Sequence, residues 1–225
     1  MPSEETSPRP PLTRERILHA AVDLADREGL GALTMRRLGA ELGVEAMALY
    51  KHVANKEEIL DEIVELVIGE IDVPRDEADW KRAMRRRAIS ARQVLSRHSW
   101  AIGLLEARGA MGPTAMRYLD TILGNLRSAG FSIENAAHAF WLLDSYVYGH
   151  VVQETSLSLS TSDETTGSTR SNLEEATMDE FPHLLEIGEH AMRSGFSLET
   201  EFEFGLELIL DALGDHSLTG PAALP

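Results

Sequence analysis

Apolar residues return at helical spacing along most of the chain. From Ile17 the positions Ile17, Ala20, Ala21, Leu24 and Ala25 fall on one stripe, Thr13 stands before them as an N-cap, and Gly29 stops the pattern. Thr34 opens a second short segment, Met35 to Leu42, that ends at Gly43, and a third runs from about residue 45 to 52. Asn55 begins a fourth, with Glu58 three residues later as a capping box and Ile59, Leu60, Ile63, Val64, Val67 and Ile68 carrying it to about residue 71. Beyond Pro74 the spacing predicts helices over about 78–98, 100–108, 113–129, 132–154, 172–194 with a break near Pro182, and 198–213. Gly130 is placed as a helix stop, and Ser132 with Asn135 can cap the helix that follows. No stretch alternates with period two for long enough to make a strand, so the expected fold class is all-α.

Three segments lie outside this pattern. Residues 1–11 carry four Pro and no periodicity and are expected to form a disordered arm. The Ser/Thr-rich run 155–171 is expected to be a mobile loop, and 216–225 a tail.

Composition narrows the class. The 225 residues are 43% hydrophobic, enough for a sizeable core, and the absence of Cys excludes a disulfide framework, a CxxC redox pair and a thiolate zinc site. No apolar run approaches the roughly 18 to 20 residues that span a bilayer, and the first residues lack both a basic and an apolar signal region. The expectation is a cytoplasmic protein with no membrane partner. A net charge of −16 argues at first against a polyanionic partner, but its distribution reverses the argument. Residues 1–56 hold eight Lys/Arg and eight Asp/Glu, so the whole acidic excess lies after them, which points to two functional regions.

The neutral region contains the informative motif, LTMRRLGAELGVEAMALYKHVANKEEIL, residues 33–60. A helix-turn-helix needs a small residue where two helices cross, a Gly able to turn left-handed between them, and inward apolar residues on both. Gly39 supplies the first, Gly43 the second, and Leu38, Leu42, Val44 and Leu49 the third. On the second helix Glu45, Ala46, Met47, Ala48, Tyr50, Lys51 and His52 then face outward, where residues 46–48 allow close approach to base edges. Thr34 and Lys56 are placed to meet phosphates, and Arg36 to reach a guanine by a bidentate pair. An ordinary helical hairpin is the competing reading of the spacing alone.

The match runs further than the spacing. Residues 14–68 resemble the DNA-binding domain of the tetracycline-repressor (TetR) family through Gly29, Leu33, Thr34, Arg36, Leu38, Leu42, Gly43, Val44, Leu49, Tyr50, His52, Lys56 and Leu60, with Gly39 where Ala is usual. More weakly, residues 130–154, 181–186 and 202–213 resemble the effector domain of the tetracycline-repressor subgroup. The resemblance implies an N-terminal three-helix helix-turn-helix domain, residues 12–58, joined by a fourth helix to a ligand-binding and dimerisation domain, residues 59–215. It also implies a homodimer that binds double-stranded operator DNA, is released from it by a small-molecule effector and acts as a repressor. In that subgroup two late helices build a four-helix dimer seam; here the last helix has an apolar stripe, Phe202, Leu206, Ile209, Leu210 and Leu213, that suits either a core or a seam. Tetracycline-specific members chelate a magnesium–drug complex through His and Glu side chains. The comparable places here read Ile71, Asp72 and Gln153, with no His near 102–112, which argues against that complex and leaves the effector open. No cofactor is expected.

Phe140, Asp144 and Tyr148 share one helical stripe, with Trp141 and Ser145 beside them, and mark a candidate ligand site with a carboxylate anchor. Trp100, Leu104, Arg108 and Met111 are candidates for the opposing wall, with Arg108 as partner of Asp144. The competing reading is a packed core in which Asp144 meets a backbone donor or an Arg across the bundle. The basic run 81–93 reads as a solvated face paired with acidic neighbours, with a second DNA contact as the competing reading. An enzyme is the rival class, and its signals are few. Glu180 and His183 form a single carboxylate–histidine pair broken by Pro182, whereas a di-iron bundle needs two. His150 and Glu154 lie at i, i+4, and neither a phosphate-binding Gly loop nor HExxH occurs.

Overall fold

The computed structural model describes residues 11–75, 77–107, 112–162, 181–194 and 197–217. Among them it shows ten α-helices, one 3₁₀ turn (Leu30–Ala32) and no strand. The chain divides into two compact units. Unit 1 runs to Glu70 and takes in Trp100–Ala115; unit 2 takes Ile71–Ser99 and the chain from Met116 onward.

Unit 1 opens with α1, Arg14–Glu28, whose Thr13 cap accepts from the Arg16 N–H and whose buried stripe is Ile17, Leu18, Ala21, Leu24 and Ala25. Gly29 ends it at φ 76°. Thr34 caps α2, Met35–Leu42, by accepting from the Arg37 N–H, and Gly43 closes that helix in the left-handed region at φ 68°, ψ 33°. The following helix, α3, is a single turn, Ala46–Leu49. Then comes α4, Lys56–Gly69, capped by the Asn55 side chain on the Glu58 N–H. The expected capping box forms with one change: the Glu58 carboxylate accepts from Ala54 rather than from Asn55. Leu38, Leu49, Val53, Ile59 and Ile63 join the α1 stripe in one core.

The helix α6, Trp100–Ala107, belongs to the same unit. Trp100 and Leu104 pack against that core, and the Trp100 indole N–H donates to the Asp26 carboxylate at 2.6 Å. The start of α7, Pro113–Ser128, is held by Glu65 of α4, whose carboxylate accepts from the Thr114 and Ala115 N–H groups at 2.6 and 3.2 Å. A Cβ at Gly112 would meet that carboxylate, so a side chain there would have to displace Glu65 from the two N–H groups.

Unit 2 is built on α5, Trp80–Arg97, α8, Ile133–Ser162, and α10, Leu198–Ser217, together with most of α7; α9 is Pro182–Ser194. Small buried residues let α5 and α8 approach closely, Ala83, Ala88 and Ala91 on one and Ala136 and Ala139 on the other. Leu143, Val147 and Val151 of α8 and Phe202, Leu206 and Leu210 of α10 complete the core. Residues 155–162, expected to be loop, continue α8. The Thr155 and Ser156 hydroxyls there bond the carbonyls of Val151 and Val152 four residues back, so side chains read as loop formers are satisfied within the helix. Residues 163–171 lie outside the described residues, as do 218–225, and α10 reaches Ser217 rather than ending near 213.

Candidate nucleic-acid interface and ligand site

The turn between α2 and α3 is tight because Gly39 leaves nothing between them. A Cβ there would sit 2.9 Å from the Val44 carbonyl oxygen and 3.2 Å from the Ala46 nitrogen, both backbone atoms that cannot swing away. Leu38 and Leu49 turn inward and are fully buried, which leaves Glu45, Met47, Tyr50 and Lys51 exposed and Ala46, Ala48 and His52 half-buried. The carbonyl of His52 accepts from Arg14, which ties the end of this segment to α1.

Charge pairing sets this face apart. Of the described Lys and Arg side chains up to residue 56, Arg14 pairs with Glu58 and Glu62, Arg27 with Glu41 at 2.7 Å, and Arg37 with Glu28 and Glu41, while Arg16 donates to the Pro11 carbonyl. The remaining three, Arg36, Lys51 and Lys56, make no ion pair among the described residues. All three were marked by sequence for DNA contact. Thr34 is exposed and its hydroxyl oxygen serves α2 as cap acceptor.

The sequence-marked ligand residues divide between the units. Trp100 and Leu104 belong to unit 1, while Phe140, Asp144 and Tyr148 lie in unit 2; Arg108 and Met111 are outside the described residues. Trp141 and Ser145 point out of unit 2, because the buried stripe of α8 runs through 139, 143, 147 and 151 and leaves 141 and 145 on the far side. Leu104 does line a cavity, of about 230 Å³, with Val64, Ile68, Leu105, Pro113 and Ala115. That volume is below the roughly 300 to 1,000 Å³ of ordinary ligand pockets.

Asp144 has a partner that sequence did not name. Arg87 of α5, 1% exposed, donates to its carboxylate through Nη2 and to the Tyr118 hydroxyl through Nε at 2.6 Å. The guanidinium also lies over the rings of Tyr118 and Phe140. Burial pushes the Asp144 carboxyl up, while Arg87 and a Tyr148 hydrogen bond pull it down, and the net direction is up. Burial likewise pushes the Tyr118 phenol up to about 12. The reading of Asp144 as paired with an Arg across the bundle is the one the geometry matches, and that Arg is Arg87. One atom of the cluster stays unsatisfied: the buried Nη1 of Arg87 has no hydrogen-bond partner.

The basic run is therefore not solvated throughout, because Arg87 turns into the core, but its other cations pair with acidic neighbours as expected. Lys81 meets Asp211, Arg82 Glu77, Arg85 Glu207, Arg86 Asp72 and Arg92 Glu154. Glu154 accepts from Arg92 and from the Ser96 hydroxyl. Among the described residues no group of three or more His, Cys, Asp or Glu is placed to hold a metal, and no helix is long and apolar enough to cross a membrane.

Residues 17–63 match the model of bacterial regulatory proteins of the tetR family, and residues 73–216 that of the tetracyclin repressor-like C-terminal domain. The chain is 32% identical over 214 residues to the HTH-type transcriptional repressor DrrR1 of Streptomyces coeruleorubidus, an alignment covering 92% of this chain and 78% of that one. It is 30% identical over 205 residues to the tetracycline repressor protein class A from transposon 1721 of Escherichia coli, covering 90% of each. Among solved structures, ActR of Streptomyces coelicolor in complex with actinorhodin superposes with a TM-score of 0.74 at 29% identity, covering 93% of this chain and all of that one.

Proposed function

The chain belongs to the tetR family of bacterial regulatory proteins and is a helix-turn-helix transcriptional regulator, and from that premise we propose that it is a homodimeric repressor released from its operator by a small molecule. The observation that carries the DNA-binding part is the trio of unpaired cations, Arg36, Lys51 and Lys56, in a protein of net charge −16 whose other described Lys and Arg side chains in that unit, Arg14, Arg16, Arg27 and Arg37, are engaged. Arg36 reads a guanine from α2, Lys56 and Thr34 meet phosphates, and residues 46–48, Tyr50, Lys51 and His52 line the groove.

Dimerisation is supported by what unit 2 leaves uncovered. Trp141, Leu142 and Val152 of α8 and Phe204 and Leu208 of α10 are all about half exposed or more, and Ser145 and Gly149 between the α8 residues leave room for a close helix partner. A second copy of the chain covers both helices, and Trp141 and Ser145 serve that seam rather than the ligand. Two α3 helices then address successive major grooves of a near-palindrome.

The effector site lies in unit 2 around Arg87. Its unsatisfied Nη1 is a buried donor in want of an acceptor, and an effector oxygen supplies one beside Phe140, Tyr118 and Tyr148. Actinorhodin in the ActR complex supports an organic effector of that general kind. The proposal is tested by selecting duplexes from a random pool with the full-length protein. Enrichment of a two-fold symmetric sequence is the expected result, and a pool that shows no enrichment refutes it.

A further inference from the structure

Among its described residues unit 1 hides its large apolar side chains with two exceptions. Those left exposed are Met47, at 74%, and Tyr50, at 46%, and both stand on or directly after α3. Met47 sits between Ala46 and Ala48, so three successive positions at the front of the helix carry no strong hydrogen-bond donor or acceptor. The unpaired Arg36, Lys51 and Lys56 belong to the same motif. An exposed apolar side chain in a cationic setting fits a polyanion that carries apolar groups within a groove. On the edges of base pairs in the major groove that group is the C5-methyl of thymine.

We propose that Met47 is a specificity-determining residue that selects a thymine in each half-site by contact with its methyl group. This rests on the reading above, that α3 enters the major groove. The unbranched thioether adapts its shape to a methyl group without needing a fixed hydrogen-bond geometry, which the single turn of α3 would be poorly built to hold. Hydrogen-bonded readout then falls to other exposed side chains of the motif, Arg36 and Glu45; the latter makes no cap bond to its own helix. Because Met47 packs against nothing that the fold needs, changing it leaves the unit intact.

The test uses the full-length protein and a duplex it selects from a random pool, with each thymine replaced in turn by deoxyuridine, which removes only the methyl. Wild type is expected to lose about fourfold in affinity at one thymine per half-site, the worth of one buried methyl group. Met47→Ala is expected to bind the thymine and uracil duplexes equally, and Met47→Leu to keep the preference. A wild-type protein indifferent to every replacement overturns the inference, as does a Met47→Ala variant that still discriminates. If wild type enriches no sequence at all, the groove reading fails first and takes the inference with it.

Discussion

Unit 1 pairs Arg14, Arg27 and Arg37 at its surface and leaves Arg36, Lys51 and Lys56 unpaired. Unit 2 pairs every cation from Lys81 to Arg92 and places one pair, Arg87 with Asp144, out of reach of water. Apolar surface is distributed the other way. Among the described residues unit 1 exposes two large apolar side chains on one short segment, whereas unit 2 exposes rows of them along α8 and α10. A surface pair adds little to stability, so leaving three cations unpaired costs unit 1 little and keeps them available for phosphates and bases. In unit 2 the wide apolar faces suit a partner of the same kind, and the internal polar cluster suits selection among small molecules.

The sharpest way to break this comparison is to remove one partner from each kind of pair. Arg87→Ala should cost about 3 to 5 kcal/mol because it strands a buried carboxylate, while Arg37→Ala should cost about 0 to 1 kcal/mol. The double change Arg87→Met with Asp144→Leu should recover most of the larger loss. Urea unfolding reads all three, and equal costs for the two single changes would erase the distinction between the units.

Next in size is the contrast along α10, where Leu206 is 1% exposed and Leu208 is 57% exposed. Leu206→Glu buries a charge and should unfold unit 2. Leu208→Glu should leave circular dichroism unchanged and convert dimer to monomer in sedimentation. A Leu208→Glu protein that stays dimeric at micromolar concentration contradicts the proposed seam.

On the DNA side, Arg36→Ala should cost about 1 to 3 kcal/mol and relax preference at one base pair. Lys56→Ala should weaken binding to all sequences alike and reduce the salt slope by about one. Titrations at several salt concentrations separate the two, and identical behaviour would merge their roles.

The smallest effect is acid sensitivity. Arg14, with the Ala54 N–H, holds the Glu58 carboxyl below the usual carboxylate range. Stability from that depression is complete above the unfolded pKa and is lost as pH falls through the folded one. For Asp144 the net shift is upward, so the native state takes up that proton first and acid removes no stability through it. Amide exchange followed downward from pH 7 should therefore show unit 1 loosening where α1 meets α4 before the Arg87 cluster responds, and Glu58→Gln should remove that difference.

What sequence could show follows from distance along the chain. The caps at Thr13, Thr34 and Asn55 and the left-handed Gly43 act within four residues of themselves, and each stands where the pattern places it. Arg36, Lys51 and Lys56 were legible as candidates, but that they are the unpaired ones depends on which neighbours Arg14, Arg27 and Arg37 find. The pairing of Arg87 with Asp144 spans 57 residues, and that of Trp100 with Asp26 spans 74; no local period encodes either. Composition misled at 155–162, where Ser and Thr read as loop while their hydroxyls turn back onto the helix. Arg87 itself carries a local signal, since it falls in step with Met84, Ala88 and Ala91 on the buried side of α5.

Unit 1 is discontinuous: its chain leaves at Glu70 and returns for Trp100–Ala115. On the ribosome, the helix-turn-helix emerges with Val64 and Ile68 not yet met by Leu104 and Leu105, and with Glu65 still lacking the N–H groups of Thr114 and Ala115. At about 5 to 20 residues per second the roughly 45 residues in between take about 2 to 9 s to appear. Completion of the DNA-binding unit is thus timed by synthesis of a segment far downstream of its motif. A graft that moves residues 1–70 alone onto another protein would carry the motif without the part of its support that arrives last.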